Sequence, residues 1–443
     1  MLKNKSRLFS LILIMLITAG ICPAAGGCGS AGQKDVIRVA MPYSDNLLEP
    51  EDNYYVRWLE ERSGLDIEPV IVRQRKCSEY LDALFSQDNN IDIVMFSEEF
   101  EISARELTPY RDAGFLANAT DGNYFYPNYG REAVGDCGQI LWINSGWLKD
   151  LGLKVPETTE ELREVLIAFR DRDPNGNGLR DETALLSAND KTACRASELL
   201  MESYVYNDPY HDRLFKDEAG NVIDAAKTGE YAEGTAYIDD LKREGLLVGE
   251  DEDWSLSAFT ELINSPEDMV GAFTADSLSG VIYQGNPEIL ARFMHVAPLK
   301  GPEGAQNALY AGEEMEVGAI ICASSEHRDE AQKLLDIMMT KEASLIARYG
   351  EEGVDWDYSD GTDVSIYGTP STIVTHNYIW DTPQNKHLNG IGPMNVPVEY
   401  LKGVTWNGIN SDFEYIDARA QMSYAAYLPD ISRTLVQTQE TSP

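Results

Sequence analysis

The run Asp173-Pro174-Asn175-Gly176-Asn177-Gly178-Leu179-Arg180-Asp181-Glu182 places side-chain oxygens at loop positions 1, 3, 5, 9 and 10. Leu179 at position 7 offers a main-chain carbonyl, and Gly178 falls at position 6, where a tightly curled loop turns sharply. Alternating oxygens of this kind suit Ca²⁺, which takes six to eight of them at ~2.3–2.6 Å. An EF-hand loop would carry a bidentate Glu at position 12, but Ala184 stands there, so Glu182 at position 10 has to take that part. Thr183 to Leu186 does not read as a second helix, so the pattern is EF-hand-like and not an EF-hand. The competing explanation is an Asn/Gly-rich turn after a helix. In either case the loop is structural, because a closed oxygen cage does not activate a water. The expected cofactor is calcium, held by Asp173, Asn175, Asn177, Leu179, Asp181 and Glu182.

Other chemistry is hard to find. No GxxxxGK, GxGxxG or GxSxG motif occurs, and none of the five histidines (His211, His295, His327, His376, His387) forms HExxH or pairs with cysteine at zinc spacing. Carboxylate pairs such as Glu98-Glu99 and Glu351-Glu352 arise by chance among 74 acidic residues, so they do not mark a glycosidase dyad. Cys77, Cys137, Cys194 and Cys322 allow two disulfides in any of three pairings, or four buried thiols. The expectation is a chain without catalytic residues. With 36 basic against 74 acidic residues the formal charge is −38, which repels phosphate backbones and excludes a nucleic-acid partner.

The first 27 residues read as an address. Lys3, Lys5 and Arg7 precede an apolar run from Leu8 to Ile21, too short to span a bilayer, which ends in Ala24-Ala25-Gly26-Gly27. Cys28 follows. Small residues before a cysteine resemble the lipobox of bacterial lipoproteins, although Ala25 stands where that pattern prefers Leu. The resemblance implies lipidation at Cys28, a linker over 28–34, and a chain tethered to the outer face of the cell membrane. Cleavage by an ordinary signal peptidase, leaving a free Cys28, is the plainer alternative.

The body opens as βαβαβ. Val36–Met41, Ile67–Val72 and Ile91–Phe96 are strand candidates, separated by helix patterns around Tyr55, Trp58 and Leu59 and around Leu81, Leu84 and Phe85. Ile140–Ile143 is a further strand. Thr158-Thr159-Glu160-Glu161 is a capping box before the stripe Leu162, Val165, Leu166 and Phe169. Asp217–Val222 holds a hairpin turn, and Tyr231–Leu241 and Ala331–Met338 are amphipathic. Met269–Phe273 and Val317–Cys322 are strands, and residues 350–415 read mostly as loops. At 443 residues the chain has room for two or three folding units.

Several stretches together resemble the extracellular solute-binding proteins, the receptors of ABC sugar importers. These are Trp142 to Pro156 with the capped helix and calcium loop behind it, Gly220-Asn221-Val222 with Glu244-Gly245-Leu246, Leu299 to Gly304, Ser324 to Met338, and Tyr349 to Trp356. The block over 140–182 is similar to large oligosaccharide-binding lipoproteins of the LplA and alginate-binding kind. The resemblance implies an α/β fold of type II periplasmic-binding-protein architecture, two α/β lobes with a cleft between them. Lobe 1 is expected over 35–137 and 317–380, and lobe 2 over 138–316 and 381–443. Members of this group usually run further, so the expectation is either a short branch or an incomplete sequence, whose second lobe would then lack its last helices. The implied partners are a carbohydrate and the permease subunits of an ABC transporter, with hinge closure trapping the ligand and the chain acting as a monomer. A secreted calcium-stabilised polysaccharide-degrading enzyme, or a receptor for a non-sugar solute, are the alternatives.

A sugar cleft needs flat aromatic faces with polar groups around them, carried on loops at strand ends. Candidates are Tyr43, Asp45 and Asn46 after the first strand, Glu98 and Glu99 after the third, and Asp276 after Met269–Phe273. Glu352 and Trp356 come from the turn that resembles the family's own. Trp142, Trp254, Trp380 and Trp406 are stacking candidates, with core packing as the alternative for each.

Overall fold

The computed structural model describes residues 35–73, 76–86, 90–97, 100, 102–118, 122–128, 137–189, 192–217, 219–250, 254–283, 285–311, 317–380, 382–408, 410–430 and 434. The leader, Cys28, Glu98 and Glu99 lie outside these residues. Strands in chain order are β1 (Val36–Pro42), β2 (Asp66–Val72), β3 (Ile93–Met95), β4 (Tyr126–Pro127), β5 (Ile140–Asn144), β6 (Leu185–Leu186), β7 (Leu214–Lys216), β8 (Val222–Asp224), β9 (Leu247–Val248), β10 (Ala272–Ala275), β11 (Phe293–Val296), β12 (Val317–Ile321), β13 (Trp356–Tyr358), β14 (Ile373–Thr375) and β15 (Val404–Thr405).

Two five-stranded sheets result, ordered β2-β1-β3-β12-β4 and β11-β5-β10-β6-β9. β1 runs parallel to both β2 and β3, which requires the crossover helices Tyr54–Ser63 and Cys77–Ser86. β12 returns antiparallel to β3 and β4. The chain therefore leaves the first sheet after β4, builds the second, and comes back at β12. The two passages touch where the Gly138 amide donates to the Leu309 carbonyl at 3.0 Å and Cys137 bridges Tyr310.

Side chains alternate across each sheet, so each has a core on either face. In the first, Val39, Met41, Ile93 and Met95 face one cluster, and Ala40 and Val94 face the other. In the second, Leu141 and Ile143 pack with the Leu162–Phe169 stripe, whereas Ile140 and Trp142 pack with Phe259, Phe273 and Phe293.

Several elements differ from expectation. The strand expected over Met269–Phe273 is shifted to Ala272–Ala275. Residues 350–415, expected as loops, hold the three-stranded sheet β13-β14-β15 and two helices, Val398–Leu401 and part of Ser411–Tyr424. Leu388, Ile391, Met394, Val396 and Leu401 lie in the first sheet's core, so that core extends well beyond residue 380. The last link between the cores is the helix Ser411–Tyr424. Its Ala418 packs in the first sheet's cluster, and Phe413, Ala420 and Tyr424 pack in the second's. Among the described residues the four cysteines of the body are buried, and no disulfide joins any two of them. Burial pushes Cys77 and Cys322 up to about 12, so both are protonated and inert.

Gly301, in the loop resembling the family's, has a steric reason to be glycine: a Cβ there would stand 1.7 Å from the Ser203 carbonyl oxygen. Among the described residues no helix is long and apolar enough to cross a membrane.

Candidate functional site

The loop over 173–182 follows the helix Thr159–Asp171, whose first turn is capped by Thr158 Oγ1 accepting from the Glu161 amide at 3.1 Å. The Glu161 carboxylate reaches back to the Glu157 amide instead of the cap residue's own, so the expected reciprocal box is only half made. The helix ends at Arg172, and Asp173 adopts φ 45 while Gly176 and Gly178 adopt φ 69 and 80, which curls the loop tightly. Asp173 Oδ2 accepts from the Gly178 amide at 3.0 Å, and Asn177 Oδ1 from the Leu179 amide at 2.7 Å. Asn175 Nδ2 donates to the Asp268 carbonyl at 3.3 Å, tying the loop to the segment that precedes β10.

Three oxygens are left over. Asp173 Oδ1 and both Glu182 carboxylate oxygens are buried without a hydrogen-bond donor. Burial, with Asp173 and Asp181 close by, holds the Glu182 carboxyl above its ordinary range. Buried carboxylate oxygens without donors are costly unless a cation compensates them. Asp181 Oδ1 accepts from Asn177 Nδ2 at 3.1 Å. Among the described residues no group of three or more His, Cys, Asp or Glu side chains converges tightly enough to hold a metal ion. The oxygens available here are therefore a mixed set of carboxylate, amide and carbonyl, the kind that hard cations take.

The ligand candidates divide by burial. Trp142 is fully buried in the second sheet, its Nε1 donating to the Ala275 carbonyl at 3.2 Å. Trp356, 1% exposed, donates to the Gly350 carbonyl at 2.9 Å and packs on Tyr349. Trp406, 3% exposed, lies between Tyr349 and Tyr378. Each of these three rings is packed inside a core. Trp356→Phe should cost more than about 1 kcal/mol, because the space left by the smaller ring adds to the lost hydrogen bond, readable as a shift in urea midpoint without a change in slope.

Trp254 is partly buried against the Phe259–Phe273 cluster. Glu352 is exposed and bridges Trp356 through the backbone. Tyr43 and Asp45 stand at the carboxyl end of β1, the Tyr43 hydroxyl donating to Asp45 Oδ1 at 2.6 Å and the Arg73 guanidinium lying 4.0 Å over the Tyr43 ring. Asn46, beside them, is half-buried, and its carbonyl accepts from the Gln384 amide at 3.0 Å. Asp276, half-buried, directly follows β10 in the other sheet. Trp380 is half-buried, its Nε1 donating to the Arg348 carbonyl at 2.9 Å. Glu352, Trp356, Trp380 and Trp406 thus gather around Arg348 and Tyr349, whereas Trp142 and Asp276 belong to the second sheet.

Three residues near these candidates carry no sequence signal of their own. Arg348 is 8% exposed, with its guanidinium 4.6 Å from the Trp380 ring centre and 5.8 Å from that of Trp406. His387 is fully buried 4.9 Å from Trp380, and burial together with the Arg348 charge lowers it to about 3, so it is neutral. Asp417, on the helix joining the cores, accepts from the Leu278 and Ser279 amides at 2.7 and 3.3 Å and fixes the segment behind Asp276. An arginine at the end of an amphipathic helix and an aspartate inside one both read as surface.

No protein-family model matches the chain. Over 150 residues, 32% of its length, it is 35% identical to the fructooligosaccharide ABC transporter substrate-binding protein FusA of Streptococcus pneumoniae, a stretch that covers 27% of FusA. Over 398 residues it is 22% identical to the lipoprotein LipO of Bacillus subtilis, covering 82% of this chain and 76% of LipO. The chain is similar in sequence to extracellular solute-binding proteins. The fold agrees: an EF-hand mutant of Streptococcus pneumoniae FusA in complex with fructo-nystose superposes with a TM-score of 0.69 at 19% identity, over 90% of this chain and 85% of that one.

Proposed function

We propose that this chain is the substrate-binding component of an ABC transporter, taking an oligosaccharide between its two sheets and delivering it to a membrane permease. The observation that carries this reading is the sequence kinship with FusA and LipO, found in a chain with the two-sheet solute-binding fold. The protein breaks no bond in this role. It binds, closes about the passages near Gly138 and Leu309 and about the helix Ser411–Tyr424, and releases.

Two further elements belong to the same reading. Lipidation at Cys28 would hold the receptor at the outer membrane face beside its permease, with the body acting as a monomer. Calcium in the 173–182 loop would be structural, supported by the donorless oxygens of Asp173 and Glu182 and by the EF-hand named for FusA.

The test is the melting temperature of the chain from residue 29 onward against neutral and acidic oligosaccharides, with reducing ends followed over hours. A ligand at 100 times its Kd adds ~2.7 kcal/mol if it binds only the folded state. A shift with at least one sugar and no new reducing ends is expected. Release of reducing ends would make the protein an enzyme, and no shift with any sugar would overturn the carbohydrate reading.

A further inference from the structure

The connections between the two cores converge on one short helix, Ala196–Met201. At its start, Gln139 Nε2, on the outgoing passage, donates to the Arg195 carbonyl at 3.1 Å. At its end, the Glu202 carbonyl accepts from the main-chain and side-chain amides of Asn307, on the returning passage, at 3.1 and 2.9 Å. The next amide along, that of Ala308, donates to the Tyr427 carbonyl just past the helix Ser411–Tyr424. Glu202 shares one narrow cavity with Gln139, Asn307, Leu309 and Tyr424, so both passages and the joining helix meet beside it. The short helix is a strut between the passages, and Glu202 is its fixed end.

The surroundings of the Glu202 carboxyl do not suit an anion. The residue is 3% exposed, and Asn207 beside it is fully buried. Glu202 Oε1 accepts from the Asn207 amide at 3.0 Å, but Oε2 has no donor. Asn207 Nδ2 is committed to Glu198 Oε2 at 2.7 Å, and Asn207 Oδ1 is a second buried acceptor without a donor. The other two acids of this corner are compensated. Glu198 has the Arg213 guanidinium at 2.6 Å, with Arg195 4.0 Å away. Asp208 has His211 Nδ1 at 2.9 Å and the amides of Tyr210 and His211.

Among the described residues no basic side chain pairs with Glu202. Tyr206 faces it from the same segment, next to Tyr310 of the returning passage. Tyr424, from the joining helix, spends its hydroxyl on the Leu141 amide and the Val296 carbonyl. Lys300 and Glu303, on the loop leading into the returning passage, are exposed. Burial holds the Glu202 carboxyl well above its ordinary range against the pull of the Asn207 amide, and Asp208 and Glu198 add to the rise. One proton resolves the mismatch: it removes the unpaired charge, and an O–H on Oε2 supplies the donor that Asn207 Oδ1 lacks.

We propose that Glu202 is a proton-dependent lock on the junction between the two cores: neutral, it donates to Asn207 Oδ1 and fixes the strut to the returning passage, and ionised, it frees that end. The lock acts whichever solute the receptor takes. A carboxyl raised in the folded state stabilises while it is protonated, and that contribution is lost as pH climbs through its folded value. The junction therefore stiffens toward acid pH and loosens toward alkaline pH.

The test uses the chain from residue 29 onward and its Glu202→Gln variant, which keeps an oxygen for the Asn207 amide and offers an N–H to Asn207 Oδ1. Infrared spectra with isotope-labelled glutamate should show a protonated glutamate carboxyl at neutral pH that Glu202→Gln lacks. Amide exchange compared between the two chains at each pH cancels its intrinsic pH dependence. Toward about pH 9 the wild-type chain should exchange tenfold or more faster than the variant over 202–207 and 307–309, while at about pH 6 the two should match, and the helix Thr159–Asp171 should show no difference at either pH. No carboxyl band lost with Glu202→Gln, or equal exchange of the two chains at every pH, overturns the lock and leaves the receptor reading standing. Should Glu202→Gln not fold, the wild-type chain decides. Its labelled band must fade over the pH interval in which 307–309 lose protection relative to Thr159–Asp171, and a band that is absent, or that fades without that loss, overturns the proposal.

Discussion

Calcium should raise the melting temperature of the metal-depleted chain, EDTA should reverse the rise, and Glu182→Gln should remove most of it. The reason is the mismatch inside the 173–182 loop: Asp173 Oδ1 and both Glu182 oxygens are buried with no donor. A cation satisfies all three at once, and Gln at 182 takes away the charge and one acceptor oxygen. Binding to the folded state alone adds ~2.7 kcal/mol at 100 times Kd and ~4.1 at 1,000 times. The effect should reach beyond the loop. Asn175 bonds the Asp268 carbonyl, and the Asp268 carboxylate takes hydrogen bonds from Asn144 and from Trp147, the largest ring in that core. Loss of the ion should therefore loosen the start of the helix Ser145–Leu151 as well, measurable as faster amide exchange there. A chain whose melting temperature ignores both calcium and EDTA would leave the loop as an Asn/Gly turn and nothing more.

The fold was legible where burial imposes a period. β1, β2, β3 and β5 are short apolar runs with alternate residues on opposite faces, and the helix Thr159–Asp171 shows its stripe and its cap in sequence. The elements left unread lack such a signal. β13, β14 and β15 have two or three residues each and rest on long-range pairing, and the helix Ser411–Tyr424 buries residues toward two different cores, so its apolar stripe is blurred. The tight curl of the 173–182 loop was legible, because the spacing of its Asp, Asn and Gly residues sets the turns. The site was poorly legible among the tryptophans, because indole at a core position and indole at a sugar platform look alike in sequence. Burial separates them: Trp142, Trp356 and Trp406 are interior, and Trp380 is not. Arg348, His387 and Asp417 could not be found from the chain, since their meaning lies in partners they lack or in amides more than a hundred residues away.

Asp417→Asn should stabilise the protein at pH 8 by up to about 4 kcal/mol and change little at pH 4. Burial raises Asp417 to about 7 from an ordinary 3.8, with Glu414 adding to the rise and the Leu278 and Ser279 amides opposing it. A carboxyl raised in the folded state binds its proton more tightly there than in the unfolded chain. Stability then falls as pH climbs from about 4 through about 7, and above that range the full penalty, about 4 kcal/mol, is present. Asn removes the ionisation but keeps one oxygen for the Leu278 amide, so the gain is partly offset where the Ser279 bond is lost. Thermal melts of both chains from pH 4 to 8 should converge at the acid end and separate toward the alkaline end. Parallel curves would mean that Asp417 is ionised throughout and held by its two amides. A stabilised variant that also binds sugar more weakly would assign the Asp417 charge a part in setting the hold of the core-joining helix on the segment behind Asp276.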